Sequence, residues 1–182
     1  MNALSVAIIA GGLARRLGGR VKAHLEVGGR PILSALLELV PGAPVIVVTQ
    51  TPDAFPGLRC VADVVAGKGA PGGVVTALSS ASTEWVLVVA SDMPKLRSAH
   101  VEALLGARTE AVDVVVATRG DSLEPLFGLY RRALGERWLP QLESNPSLRA
   151  LIGSVPHARV AMDPEALDSI NTPEELARLG GS

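Results

Sequence analysis

With 182 residues, 48% of them hydrophobic and 19% charged, the chain has room for one globular domain with a sizeable core, and two independent domains would be cramped. The whole span 1–182 therefore reads as a single domain. A net charge of -1 provides no global field for nucleic acid or an anionic membrane, so any anion must be bound locally.

The opening MNALSVAIIAGG has too short an apolar part for a signal peptide and no basic residue ahead of it, so Ser5–Ala10 reads as a first strand. From Ala7 to Leu33 the apolar run breaks into a Gly- and Arg-rich loop before helical periodicity resumes at Ile32, Ala35, Leu36 and Leu39. That is the layout of a phosphate-binding turn at a strand-to-helix junction. Further strands are expected at Pro44–Thr49, Leu58–Ala62, Trp85–Ala90 and Ala111–Thr118, most of them apolar throughout. Such runs suit strands buried on both faces. Val74, Ala77, Leu78 and Ala81 mark a helix after Pro71-Gly72-Gly73, and Ser98 is a fitting N-cap for one reaching Leu105.

Pro125–Tyr130 reads as a strand, and short helices or loops follow around Trp138–Leu142 and Ser147–Ile152. Val155–Met162 supplies another strand. Thr172-Pro173-Glu174-Glu175 is a helix start with a Thr cap, Pro at the first position and Glu three residues after the cap. The fold class is α/β: a Rossmann-like, mainly parallel twisted sheet with helices on both faces. No apolar run reaches transmembrane length, and the single cysteine, Cys60, excludes an intramolecular disulfide. A cytoplasmic protein without membrane or nucleic-acid partners is the expectation.

The first loop matches neither GxxxxGK[ST] nor GxGxxG. It offers Gly11-Gly12 after the strand, Arg16, Gly18-Gly19 and Lys22. Arg16 can grip phosphate oxygens bidentately, and Lys22 can neutralise them as a point charge; the bland alternative is a solvated loop. Asp92 follows the most apolar strand at its carboxyl end, where open α/β sheets place ligands, and suits Mg²⁺. It could instead cap a turn before Met93-Pro94. Asp63 has a comparable strand-end position, with a turn role equally open. In Asp168-Ser169-Ile170-Asn171, alternation puts Ser169 and Asn171 on one side and Asp168 on the other. His24, His100 and His157 have no metal-ligand spacing, and no zinc site is expected. Trp85, Trp138, Phe127 and Tyr130 read as core, and Cys60 as packing.

Ile9-Ala10-Gly11-Gly12, Arg16-Leu17-Gly18-Gly19, Lys22, Gly29-Arg30-Pro31, Gly72-Gly73, Asp92-Met93-Pro94, Glu124-Pro125-Leu126 and Asn171-Thr172-Pro173-Glu174-Glu175-Leu176 occur in the order seen in nucleotidyltransferases. Over essentially its full length the chain resembles the molybdenum cofactor guanylyltransferase family. The resemblance implies that Ile9, Ala10 and Gly11, with Gly12 beside them, contact the base and ribose of GTP by backbone. It implies that Lys22 neutralises the phosphates and that Thr49 and Asp63 lie along the nucleotide. Asp92 would hold Mg²⁺, and Ser169 and Asn171 would add ligands near the metal and the acceptor phosphate. The acceptor would be the terminal phosphate of molybdopterin, with cofactor-delivery proteins as possible partners.

Such a phosphate attacks the α-phosphorus of GTP without a protein nucleophile, while Arg16, Lys22 and Asp92 carry the catalysis by charge and position. Three positions depart from the family pattern. Val21 stands where an acidic residue is usual, Ser169 where relatives often have Asn, with Asp168 as a possible substitute, and Thr49 where relatives have an amide. Use of CTP, a sugar or alditol phosphate acceptor, and a non-catalytic nucleotide-binding role stay open as alternatives.

Overall fold

The computed structural model describes residues 4–11 and 21–180. Strands form at β1 (Leu4–Ile9), β2 (Glu26–Val27), β3 (Arg30–Pro31), β4 (Val45–Val48), β5 (Arg59–Val61), β6 (Trp85–Ala90), β7 (Val114–Arg119), β8 (Ser122–Arg131) and β9 (His157–Ala161). Helices form at α1 (Ile32–Leu37), α2 (Gly69–Ser80), α3 (Ser98–Gly106), α4 (Leu134–Trp138), α5 (Leu148–Gly153) and α6 (Pro173–Arg178). Every long strand expected from Val/Ile content is present. A short β2–β3 hairpin joins the first loop to α1.

Seven strands make one sheet in the order β5-β4-β1-β6-β8-β7-β9. All neighbouring pairs are parallel except those of β8, which runs antiparallel to β6 and β7. The apolar strands explain this arrangement. Along β1, Val6 and Ile8 point into one buried cluster and Ala7 into the other; along β6, Leu87 and Val89 oppose Val86 and Val88 in the same way. Leu36 of α1, Val101 and Leu104 of α3 and Leu176 of α6 cover the first face. Val74 and Leu78 of α2, Trp138 of α4 and Leu151 of α5 cover the second. Each such side chain, fully buried, contributes roughly 1.5–3 kcal/mol relative to exposure.

Two helix starts differ from the sequence expectation. The second helix begins at Gly69, ahead of Pro71, because first-turn N–H groups have no intrahelical acceptor and a proline there forfeits nothing. At α3 the cap is Arg97, whose N–H donates to His100 Nδ1 at 3.1 Å. Ser98 is the first helical residue, and its hydroxyl donates to the Glu38 carbonyl at 3.3 Å. The Thr172 cap forms as expected, with Oγ1 accepting from Glu175 N at 3.2 Å and Glu175 Oε2 accepting from Thr172 N at 3.1 Å.

One irregularity in the sheet positions the site. The register of β7 against β8 jumps from Val116↔Gly128 to Ala117↔Glu124, so Pro125–Phe127 leave that ladder. Tyr130 Oη donates to the Pro125 carbonyl at 2.5 Å and ties the bulge down. At Gly128 a Cβ would lie 2.8 Å from the Val115 carbonyl oxygen, so only glycine fits there.

Candidate active site

Parallel β5, β4, β1 and β6 end on the same edge of the sheet, where the crevice of an open α/β sheet receives ligands. A cavity of about 460 Å³ opens there. Its wall takes Ile9 and Gly11 from the end of β1, Thr49 and Gln50 from the end of β4, Asp63 after β5 and Asp92 after β6. Gly69, Ala70 and Gly73 of α2 form the side, Lys22 stands at the edge, and the β8 bulge contributes Leu126. No Cβ intervenes at Gly73, where one would lie 3.3 Å from Ile9 Cγ2 and 3.8 Å from Asp63 Oδ1.

Lys22 begins a 3-10 turn, Lys22–His24, whose Ala23 is buried with Ala10, Val47 and Phe55. That packing sets the stem of Lys22 under the loop after β6. Its Nζ lies 2.7 Å from Asp92 Oδ2 and donates to Asn171 Oδ1 at 2.6 Å. The Lys22 and Asp92 side chains are only 20% and 18% exposed, so the ion pair is partly shielded from water and salt. Asn171 and the residue before it are held by three hydrogen bonds. Asn171 Nδ2 donates to Ser169 Oγ at 3.0 Å, its backbone N–H donates to Glu175 Oε2 at 2.7 Å, and the neighbouring Ile170 N–H binds the Asp92 carbonyl at 3.0 Å.

The model for the MobA-like NTP transferase domain matches residues 6–160, a span running from β1 through β9. The chain belongs to this family. It is an enzyme of the nucleotidyltransferase class. The molybdenum cofactor guanylyltransferase of Vibrio campbellii is 31% identical over 95% of this chain and 93% of its own length. The protein of the same name from Desulfosudis oleivorans is 31% identical over 98% and 95%. The fold matches that of molybdopterin-guanine dinucleotide biosynthesis protein A from Archaeoglobus fulgidus, with a TM-score of 0.74, 96% of each chain covered and 21% identity.

In this MobA-like transferase the residues singled out from sequence fall into three groups. Ile9, Gly11, Lys22, Thr49, Asp63 and Asp92 line the one cavity. Ser169 and Asn171 adjoin it through Lys22. Ala10 does not line it: the residue is buried against Ala23 and Phe55, and its N–H donates to the Val48 carbonyl at 2.9 Å. Its N–H is thereby taken up by the sheet. Gly12, Arg16, Gly18 and Gly19 lie outside the described residues.

Two expectations are corrected by geometry. Lys22 does not stand free in solvent, as the bland alternative of a solvated loop would have it, since Asp92 and Asn171 hold it. Asp168 does not stand in for the amide at Ser169; it faces the other way, where Lys95 Nζ at 3.2 Å and Arg119 Nη1 at 3.3 Å bind it. Burial pushes the Asp168 carboxyl up, but those two hydrogen bonds and positive charges outweigh it and hold the group below the usual carboxylate range. Thr49 is buried, and its hydroxyl accepts from the Thr51 N–H at 3.1 Å.

Gln50 carried no sequence signal of its own, and Glu124 entered only within the Glu124-Pro125-Leu126 segment, with no role attached. Gln50 Nε2 donates to Asp63 Oδ2 at 3.4 Å, while Asp63 Oδ1 is buried with no hydrogen-bond partner among the described residues. Glu124 stands at the start of the β8 bulge. Burial raises its pKa, Arg119 and Arg149 pull it down, and Asp92 pushes it up again. A strand-end Gln and a Glu before Pro are both common in turns, so only the fold shows Gln50 bonded to Asp63 and Glu124 within electrostatic reach of Asp92.

Enzymes of this family generally use a divalent metal, and the donor set fits one. A carboxylate oxygen of Asp92 and an amide oxygen of Asn171 converge on a single position, as their distances to one Lys22 Nζ show. These are hard oxygen donors, and an ion bound through one or two such ligands takes the rest from water and substrate phosphates. Among the described residues no three His, Cys, Asp or Glu side chains gather into a cage of their own. No helix among the described residues is long and apolar enough to cross a membrane.

Proposed function

We propose that residues 1–182 act as one domain that transfers GMP from GTP to the terminal phosphate of molybdopterin in the molybdenum cofactor, releasing pyrophosphate, with Mg²⁺ as the metal, in the cytoplasm. The observation that carries this reading is the meeting of Lys22, Asp92 and Asn171 at the edge of a nucleotide-sized cavity. The names of the curated relatives support the guanylyl donor and the acceptor.

An acceptor phosphate is already ionised at neutral pH, so a general base contributes little and positioning carries the rate. An oxygen of that phosphate bonds to the α-phosphorus, and the bond from that phosphorus to the α–β bridging oxygen breaks, with both electrons leaving on pyrophosphate. Lys22 neutralises oxygens of the triphosphate, and Arg16 reaches the same phosphates from the Gly-rich turn. Asp92, with Asn171, would hold Mg²⁺, which supplies Lewis-acid stabilisation of the charge developing on phosphate oxygens. Asp63, steadied by Gln50 in the cavity wall, lies along the nucleotide.

A panel of α-³²P-labelled nucleotides with molybdopterin and Mg²⁺ tests the proposal. Label should transfer from GTP, and be lost with Lys22→Ala or Asp92→Asn while the fold persists. Transfer from CTP in place of GTP would overturn the choice of donor.

A further inference from the structure

We infer that the Lys22 ammonium is a resident counter-ion that occupies the divalent-metal position until nucleotide arrives. This rests on the reading of Asp92 as the metal carboxylate. Nζ sits 2.7 Å from Asp92 Oδ2 and 2.6 Å from Asn171 Oδ1, between the two oxygens that fit a metal. An ion held by those oxygens at about 2.1 Å and an ammonium at hydrogen-bond distance claim the same space with the same sign of charge, so they exclude each other.

The surroundings suit an exchange and not a collapse. Asn171 is fixed by Ser169 and Glu175, and the Asp92 carbonyl is held by the Ile170 N–H. The two oxygens therefore stay in place when the lysine leaves. Lys22 is on a flexible four-carbon stem, and its head needs only a side-chain rotation to follow an anion at the edge of the cavity. A triphosphate is such an anion. It draws Lys22 off Asp92 and brings oxygen ligands for the metal in the same event, so metal and nucleotide load together and metal alone is rejected. Lys22 thus has two stations, the Asp92 and Asn171 oxygens without nucleotide and the phosphates with it.

Mn²⁺ binding by the full chain without nucleotide, followed by electron paramagnetic resonance of the free ion, tests this separately from catalysis. The wild type should bind weakly, and Lys22→Met should bind about tenfold more tightly, the scale of removing one partly buried competing charge pair. Lys22→Gln provides the same reading if the Met variant folds poorly, and Lys22→Arg, which keeps the charge, should stay near wild type. The gain should vanish in Lys22→Met/Asp92→Asn. Neutral variants that bind no more tightly than wild type, an equal gain in Lys22→Arg, or a gain that survives loss of Asp92 would each overturn the exchange. Failure of guanylyl transfer shows instead in the labelled-nucleotide assay, so the two failures are distinguishable.

Discussion

Asn171 Oδ1 accepts a hydrogen bond from Lys22 Nζ at 2.6 Å, joining residues 149 positions apart in the chain. The same asparagine backbone is held by Glu175, so the first turn of α6 positions an amide that touches the first loop of the protein. Asn171→Ala removes one oxygen partner of the ammonium and leaves the Thr172–Glu175 cap intact. We expect kcat/KM for GTP to fall about tenfold, on the order of one charge-assisted hydrogen bond, with little change in thermal midpoint. Steady-state kinetics beside a thermal melt checks both; unchanged kcat/KM removes Asn171 from the site.

Gly73 separates stability from binding. Alanine in a helix interior is favoured over glycine by about 0.5–1 kcal/mol, and the 3.3 Å approach to Ile9 Cγ2 offsets part of that gain. Gly73→Ala should therefore unfold at a urea concentration close to wild type. Its methyl group projects toward Asp63 in the cavity wall, and KM for GTP should rise roughly tenfold, the scale of one misplaced methyl in a tight pocket. Wild-type KM in this variant would show that nucleotide does not lie against α2.

Tyr130 holds the β8 bulge. Burial, aided by the charge of Glu124, keeps its hydroxyl far above the usual phenol range, so it remains a neutral donor to the Pro125 carbonyl. Tyr130→Phe strands that carbonyl and should cost about 1–2 kcal/mol in urea unfolding. Because the bulge carries Leu126 into the cavity wall, KM for GTP should rise along with the loss of stability.

Two carboxyl groups near the site give opposite pH signatures. Asp168 is depressed in the fold, so its stabilisation is present above the ordinary aspartate range, near pH 4, and lost as pH falls through the folded value. Glu124 is raised by burial, so the fold favours its protonated form, and stability contributed by this group grows as pH falls through the raised value. Thermal midpoints measured from about pH 3 to 7 should show a shallower acid loss in Asp168→Asn. Glu124→Gln should be more stable than wild type at neutral pH and converge with it in acid.

Much of this was legible in the chain because strands and caps are local. Val/Ile runs located β1, β4, β6 and β7, and the Thr172–Glu175 pair announced α6, since a cap is decided by residues three apart. The helix start at Gly69 and the cap at Arg97 differ from the linear reading because proline in a first turn and a histidine acting as cap partner are weak signals in a linear pattern. Alternation alone put Asp168 opposite Ser169 and Asn171, and the structure has that division.

The sequence by itself determined the α/β class, the strand-end positions of Asp63 and Asp92, and the acidic and amide residues ahead of the last helix, because periodicity, turn chemistry and charge are properties of short segments. Only the tertiary structure decided that Lys22 is bound by Asp92 and Asn171, that Gln50 steadies Asp63, that Ala10 faces the core, and that Leu126 enters the wall through a bulge. Those facts depend on which strand ends lie side by side and which side chains then compete for the same partner. That is settled by packing across the whole chain.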